Sequence, residues 1–266
     1  MTSRPTEPLA QTGPDSLLGR SLSQWSFLLV FPRAILLQVA HPAVGAGVAE
    51  HSVYRTDLWQ RGYRTLTHLQ RLAHADPAEG ERLGRELRRG HRDIHGVDSH
   101  GRPYHALRPE LFLWVHATYL DSILMLWELC GRPLNADERK QLYGQWLRVG
   151  RCLGLRDEEL PADLQAFTAY FTATLATLER TEPVRHLLGP ALLTPPRPVA
   201  GLPLAAAGFR AFGRGLFPHL TRMTVALLPH EALTAIGLSP AHRAYAAMAR
   251  GLAHTLNALP QQAWPL

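Results

Sequence analysis

Cysteine is nearly absent. Cys130 and Cys152 are the only two in 266 residues. They form no C-x-x-C, so neither a zinc knuckle nor a thioredoxin-type redox pair can be built. The missing C-x-x-C-H excludes the usual covalent attachment of a c-type haem. Two reduced, buried thiols are the expected state. Long basic runs are also lacking. The formal charge is +6, carried almost wholly by arginine, yet no basic stripe is interleaved with aromatics. That excludes a nucleic-acid footprint and leaves a modest excess suited to small anionic groups or an anionic surface.

The signature loops of several enzyme classes are missing too. There is no G-x-S-x-G elbow for a serine hydrolase, and Ser52 sits on no strand-to-helix turn. No G-x-G-x-x-G follows a strand and no P-loop occurs, which excludes a nucleotide cofactor or phosphoryl transfer on motif grounds. H-E-x-x-H is absent, as are the E-x-x-H pairs of a di-iron bundle. No apolar run is long enough to span a bilayer. The most apolar early segment, Phe27 to Ala40, is short and contains Pro32 and Arg33. Met1 to Pro14 is polar and rich in Pro, Thr and Ser, without the charged and apolar regions of a secretory signal. The expectation is a disordered tail over residues 1–20, one domain over 21–266, no integral membrane segment, and a soluble cytoplasmic protein.

Apolar residues make up 46% and charged residues 19%, the balance of a globular domain rather than a disordered chain. Alternating runs of strand length are absent, and helical spacing recurs nearly everywhere. The reading is all-α, a single domain of about ten helices around a buried centre. Proline belongs in a first helical turn, so a helix start is placed near Pro32 and a break at Pro218. The residue before a proline avoids the α region, so a helix stops at His41 and a short one runs from Pro42 to about His51. Gly45 and Gly47 within it point to a close approach by another helix or a flat ligand. Asp57 caps a helix to about Ala75, and Asp76-Pro77 starts one through to about Ile94. Pro109 opens a long apolar helix to about Leu129. Asn135 with Glu138 forms a capping box for the next, to about Leu153. Helices are also expected over Pro161–Thr181, Glu182–Leu188 and Pro240–Ala258. Pro190 to Pro203 is read as a loop or linker.

Fourteen histidines are present, and most are taken as structural or solvent-facing, His68 among them. His91 differs because of its face. Leu83, Leu87, His91 and Ile94 fall on one helical stripe. Such a histidine is either a core residue bonded to a carbonyl or a ligand, and imidazole suits iron, zinc and copper alike. His91 and His95, four apart, also have the spacing to share a metal. Arg61, Arg64 and Thr65 share one helix, and the arginines three apart point in similar directions. They form either a solvated face or a set of donors in a pocket. His41 lies at a helix end, and Arg33, Arg55 and Arg102 are further candidates for holding an anionic group.

Three runs together resemble a known family: Leu36 to Val44 with His41-Pro42, Gly47 to Tyr54 with His51-Ser52, and Arg61-Gly-Tyr-Arg64-Thr65. The match continues through His91, Gly101 to Tyr104, Pro109-Glu-Leu and Trp114 to Ser122, and reappears at Leu227-Leu-Pro229 and Ile236-Gly-Leu238. It spans roughly residues 25 to 245 and is similar to the shared domain of MpaB-type and latex-clearing rubber oxygenases. That resemblance implies an all-helical fold with a globin-like core and a non-covalent haem b. It implies an oxygenase acting with dioxygen on a small apolar substrate, an isoprenoid or other alkene. His91 resembles the proximal iron ligand, and Arg61, Arg64 and Thr65 the catalytic distal cluster. Arg61, Thr118 and His41 are carried over as cofactor-binding residues. Where rubber oxygenases have a lysine able to close the sixth iron site, this chain has Arg64, which stays protonated and coordinates poorly. An open or water-filled sixth site is expected. Two other readings use the same residues: a haem-binding sensor or carrier without turnover, and a non-haem helical metal-binding protein.

Overall fold

Side-chain caps decide where many of the helices begin. Ser16, Asp57, Asp76, Asp163 and Thr181 each accept from the backbone N–H three residues on. Asn135 and Glu138 form the full reciprocal capping box. Each cap satisfies a donor that the first turn would otherwise leave unpaired, contributing about 1 kcal/mol. The computed structural model describes residues 11–196 and 203–259. Its helices are α1 (Leu17–Ser23), α2 (Phe27–Ala40), α3 (Pro42–His51), α4 (Leu58–His74), α5 (Pro77–Gly90), α6 (Pro109–Leu129), α7 (Ala136–Cys152), α8 (Leu164–Leu175), α9 (Glu182–Leu188), α10 (Pro203–Ala226), α11 (His230–Ile236) and α12 (Arg243–Asn257). Short 3-10 turns cover Val53–Arg55 and Pro190–Leu193. The architecture is all-α apart from one hairpin of three-residue strands, β1 (His95–Val97) and β2 (Pro103–His105), paired antiparallel with Gly96 opposite Tyr104.

The centre is the crossing of α2 and α6. Both are apolar nearly all round, so both are buried, with Leu36, Leu37, Trp114, Leu120 and Ile123 almost fully enclosed. Each such side chain contributes about 2 kcal/mol by leaving water. Trp114 Nε1 donates to the Leu37 carbonyl at 3.2 Å, tying the two helices together. Buried Arg33 of α2 fastens the late chain to this crossing. Its guanidinium donates to the Leu227 carbonyl at 2.7 Å and Ser122 Oγ at 2.8 Å, and pairs with Asp121 at 2.6 Å. The carbonyls at the end of α2 are taken up by the segment leading into α9: Thr181 Oγ1 donates to Val39 and the Glu179 N–H to Ala40. Gly45 is required here, because a Cβ on it would lie 2.6 Å from the Val39 oxygen and 2.7 Å from Thr181 Cγ2.

Several expectations are corrected. Pro32 and Pro218 lie inside α2 and α10 instead of starting or breaking helices. The absent N–H costs one bond in each helix, and the packing of α2 outweighs it. The expected tail does not extend to residue 20: the Gly13 N–H bonds to the Ala73 carbonyl, Thr12 Oγ1 to that of Ala75, and Leu17 and Leu18 of α1 are buried. Residues 1–10 of that tail lie outside the described residues, as do 197–202 of the expected Pro190–Pro203 loop. α5 stops at Gly90, short of Ile94, and His95 is on β1, not on a helix. Among the described residues no single helix is long and apolar enough to cross a membrane.

Candidate functional site

α4 is amphipathic, and the positions 61, 64, 65, 68, 69 and 72 follow one another at helical spacing along one face. That face forms a wall of a cavity of about 730 Å³, within the usual range for small-molecule sites of about 300–1,000 Å³. The opposite walls come from α3 (Val44, Gly47, Val48), the end of α5 (Leu87, His91), and α6 (Phe112, Val115, Tyr119). Val149 and Leu153 close it from the α7 side. Most of the lining is aliphatic or aromatic, so bulk water is poorly accommodated and an apolar ligand is favoured. Arg64 and Val53 line the cavity and are also exposed, which puts the mouth beside them.

His91 caps α5. Its backbone N–H bonds to the Arg88 carbonyl at 3.1 Å, and its ring Nδ1 lies 2.7 Å from the Leu87 carbonyl. A carbonyl only accepts, so Nδ1 carries a proton, which leaves Nε2 as the ring nitrogen that can offer a lone pair. Nε2 has no partner among the described residues, and the ring is held edge-on to Phe112 at 5.9 Å. Metal-ligating histidines are oriented in this way, by a bond from the other ring nitrogen to a carbonyl. His95 is not beside it. Its ring stacks on His105 across the hairpin at 6.0 Å, so the two-histidine metal pair expected from four-residue spacing is not formed. Among the described residues no three His, Cys, Asp or Glu side chains are grouped to hold a metal by themselves.

Arg61 is half-buried on the cavity wall, and desolvation there lowers its pKa, opposed by nearby Tyr119. No carboxylate reaches it among the described residues. Tyr119 faces the same space. Burial pushes its phenol up to about 12, so the hydroxyl stays protonated and available as a donor. Thr65 lines the wall, but its hydroxyl donates to the Arg61 carbonyl at 3.0 Å. It can therefore accept from a ligand but not donate to it. His68, set aside on sequence grounds, lines the cavity one turn beyond Arg64. Its Nε2 is buried without a partner, and burial lowers its pKa.

The remaining expected residues sit elsewhere. Thr118 is fully buried behind the wall. It accepts from Gln38 Nε2 at 2.9 Å and donates to the Val115 carbonyl at 2.7 Å, so it positions two lining residues without touching the cavity. His41 is not part of the lining either. It ends α2, with Nδ1 buried and unpartnered and its ring 6.4 Å from that of Trp114. Arg33 is committed to the core, Arg55 to Glu182 at 3.0 Å and Arg102 to Asp98 at 2.8 Å. None of these three is free for an anionic group of a ligand. Tyr119, Tyr104, Gln38 and His68 were missed. The α6 residues Leu111, Phe112, Val115 and Tyr119 share one helical face, a signal legible from spacing once that face is known to border a cavity.

Comparisons with known proteins give the family. A family model described as "ER-bound oxygenase mpaB/B'/Rubber oxygenase, catalytic domain" matches residues 20–258. Uncharacterized proteins of Mycobacterium tuberculosis and Mycobacterium bovis are each 31% identical to the chain over 188 residues, covering 65% of it and 72% of the relative. No solved structure matches. The chain belongs to the family of oxygenases that share the mpaB and rubber-oxygenase catalytic domain.

Proposed function

We propose that the protein is a haem b-dependent oxygenase that uses dioxygen to oxidise a small apolar substrate, an isoprenoid or other alkene. The single observation that carries this reading is His91. Its Nδ1–H is bonded to the Leu87 carbonyl, and its Nε2 lone pair is left free in an apolar cavity. The residues fit a macrocycle that supplies four of the metal's ligands itself, because only one protein ligand is then needed. The half-buried Arg61, which no carboxylate reaches among the described residues, fits a ligand that carries negative charge.

Haem, when bound, supplies the dioxygen chemistry. The chain supplies the rest. His91 would hold the iron. Arg61 and the protonated Tyr119 hydroxyl present fixed donors where negative charge develops, in a site with little competing water. Thr65 accepts a hydrogen bond. Arg64, at the mouth, would offer the metal no lone pair, because a guanidinium coordinates poorly. Leu69, Leu72, Leu87 and Phe112 provide the apolar surface for the substrate.

Absorption spectroscopy of the purified chain with added haemin tests this first. A Soret band is expected with the wild type, and its loss or displacement in His91→Ala, with recovery on adding imidazole. A chain that takes up no haemin overturns the haem reading. Product analysis with isoprenoid alkenes, in air against argon, then separates an oxygenase from a haem sensor or carrier, which would yield no oxygen-dependent product.

A further inference from the structure

The chain's positive charge is concentrated at one end. Residues 203–259 hold five arginines, Arg210, Arg214, Arg222, Arg243 and Arg250, against the single carboxylate Glu231. Five minus one leaves +4 of the formal +6 in this segment. Several arginines along α4–α7 and the turn before α7 are paired instead. Arg71, Arg82 and Arg85 pair with Glu79, Glu86 and Glu81, and Arg132, Arg139 and Arg151 with Glu138, Glu128 and Asp157. All five C-terminal arginines are exposed, and none has a carboxylate partner among the described residues.

The same segment turns large apolar side chains outward. On α10, Leu204 is 91% exposed, Phe212 69% and Leu216 36%. They lie four or eight residues apart, and Gly208, Ala211 and Gly215 between them carry no charge. The result is an uncharged outer stripe about 18 Å long, flanked by Arg210 and Arg214. The inner face of α10 is already occupied: Phe209 and Phe217 pack against Trp59 at 5.8 and 5.7 Å. α12 extends the patch. Its Tyr245 lies beside His219 and Arg222 of α10, and Met248 and Leu252, both exposed, follow Tyr245 on the same flank.

We propose that the outer face of α10 and α12 docks on an anionic lipid bilayer. A helix lying in the interface plane buries aromatic and aliphatic side chains at the acyl boundary and places flanking arginines at the headgroup phosphates. Charge complementarity selects this occupant. A second copy of the chain meeting face to face would bring ten unpaired arginines together, which opposes association. An anionic surface neutralises them. The proposal is independent of the cofactor reading, since none of these residues lines the cavity. It has a consequence for that site, because apolar substrates partition into the same bilayer.

The full chain should sediment with vesicles of mixed phosphatidylcholine and phosphatidylglycerol, and far less with phosphatidylcholine alone. High salt should release part of it. Phe212→Glu should weaken the partition coefficient by about tenfold or more. Arg210→Gln and Arg214→Gln should each weaken it by about fivefold. These positions are exposed, so far-UV circular dichroism should match the wild type. Absence of sedimentation with anionic vesicles, or binding unchanged by all three substitutions, overturns the proposal. Light scattering that shows a dimer dissolved by Phe212→Glu would assign the face to a second copy. Binding seen only after removal of residues 260–266 would assign it to the chain's own end. Either result overturns membrane docking by the native chain.

Discussion

Two regions of the molecule withdraw a guanidinium from water, Arg33 fully and Arg61 in part, and they treat it in opposite ways. At the α2–α6 crossing, Arg33 is 1% exposed, and its donors reach Asp121, Ser122 and the Leu227 carbonyl. On the α4 wall, Arg61 is partly desolvated and meets no carboxylate among the described residues. A buried charge without a partner costs stability, so a fold keeps it only where something else compensates. Arg33 stabilises because its partners are built into the chain. Arg61 is set up for a partner that arrives from outside. The difference separates the architecture from the site more clearly than either burial or residue type does alone.

The largest effect is expected at Arg33. Arg33→Met strands Asp121, Ser122 and the Leu227 carbonyl together, and should cost about 3 kcal/mol or more of unfolding free energy. Urea denaturation followed by circular dichroism measures it. A cost under about 1 kcal/mol would mean that the pair behaves like a surface bridge, and the contrast with Arg61 would collapse.

The next effect is a pH dependence, and it belongs to the cavity side. His116 is buried, stacked on Trp146 at 4.5 Å, and its Nε2–H donates to the Trp146 carbonyl at 2.8 Å. Burial holds its pKa down to about 4, against an ordinary 6.5. The unfolded chain therefore takes the proton first as pH falls. The stability contribution is complete above 6.5 and is lost between there and pH 4, amounting to roughly 3 kcal/mol. His68 and His41, also lowered by burial, add in the same direction. Chemical denaturation at pH 7 and pH 5 should show the loss. His116→Gln, which keeps a donor for the Trp146 carbonyl, should flatten it. An unchanged slope in His116→Gln would move the effect to the other two histidines.

Much of the fold was legible because its punctuation is local. The ends of α3 at Pro42 and His51, the start of α6 at Pro109, and the capping box at Asn135 all follow from neighbouring residues. The internal prolines were misread because what tolerates Pro32 is the packing around α2, and no local signal records that. The apolar stripe placed His91 on a helix through Ile94. Gly90 ends the helix first, yet the ring still faces the cavity, because the side chain itself caps the Leu87 carbonyl. The Arg61–Arg64–Thr65 face was readable as a face. That Arg61 lacks a partner was not, since pairing depends on which distant carboxylates fold nearby. Thr118 was misplaced for a related reason: on a helix buried all round, spacing does not tell the cavity side from the core side.

Arg61→Met carries the smallest expected change in stability and the sharpest consequence for the comparison. If Arg61 has no built-in partner, replacing it with an apolar side chain of similar length removes a desolvated charge and strands nothing. Unfolding free energy should then stay level or rise by up to about 1 kcal/mol, where Arg33→Met falls steeply. The haemin Soret band should persist, because His91 and its bond to the Leu87 carbonyl are untouched. Oxygen-dependent turnover of an alkene should drop by about a hundredfold, the usual result of losing one preorganised donor. A stability loss as large as that of Arg33→Met would show that Arg61 is a structural residue after all. The protonated Tyr119 hydroxyl would then be left as the donor on that wall, and the functional role would pass to it.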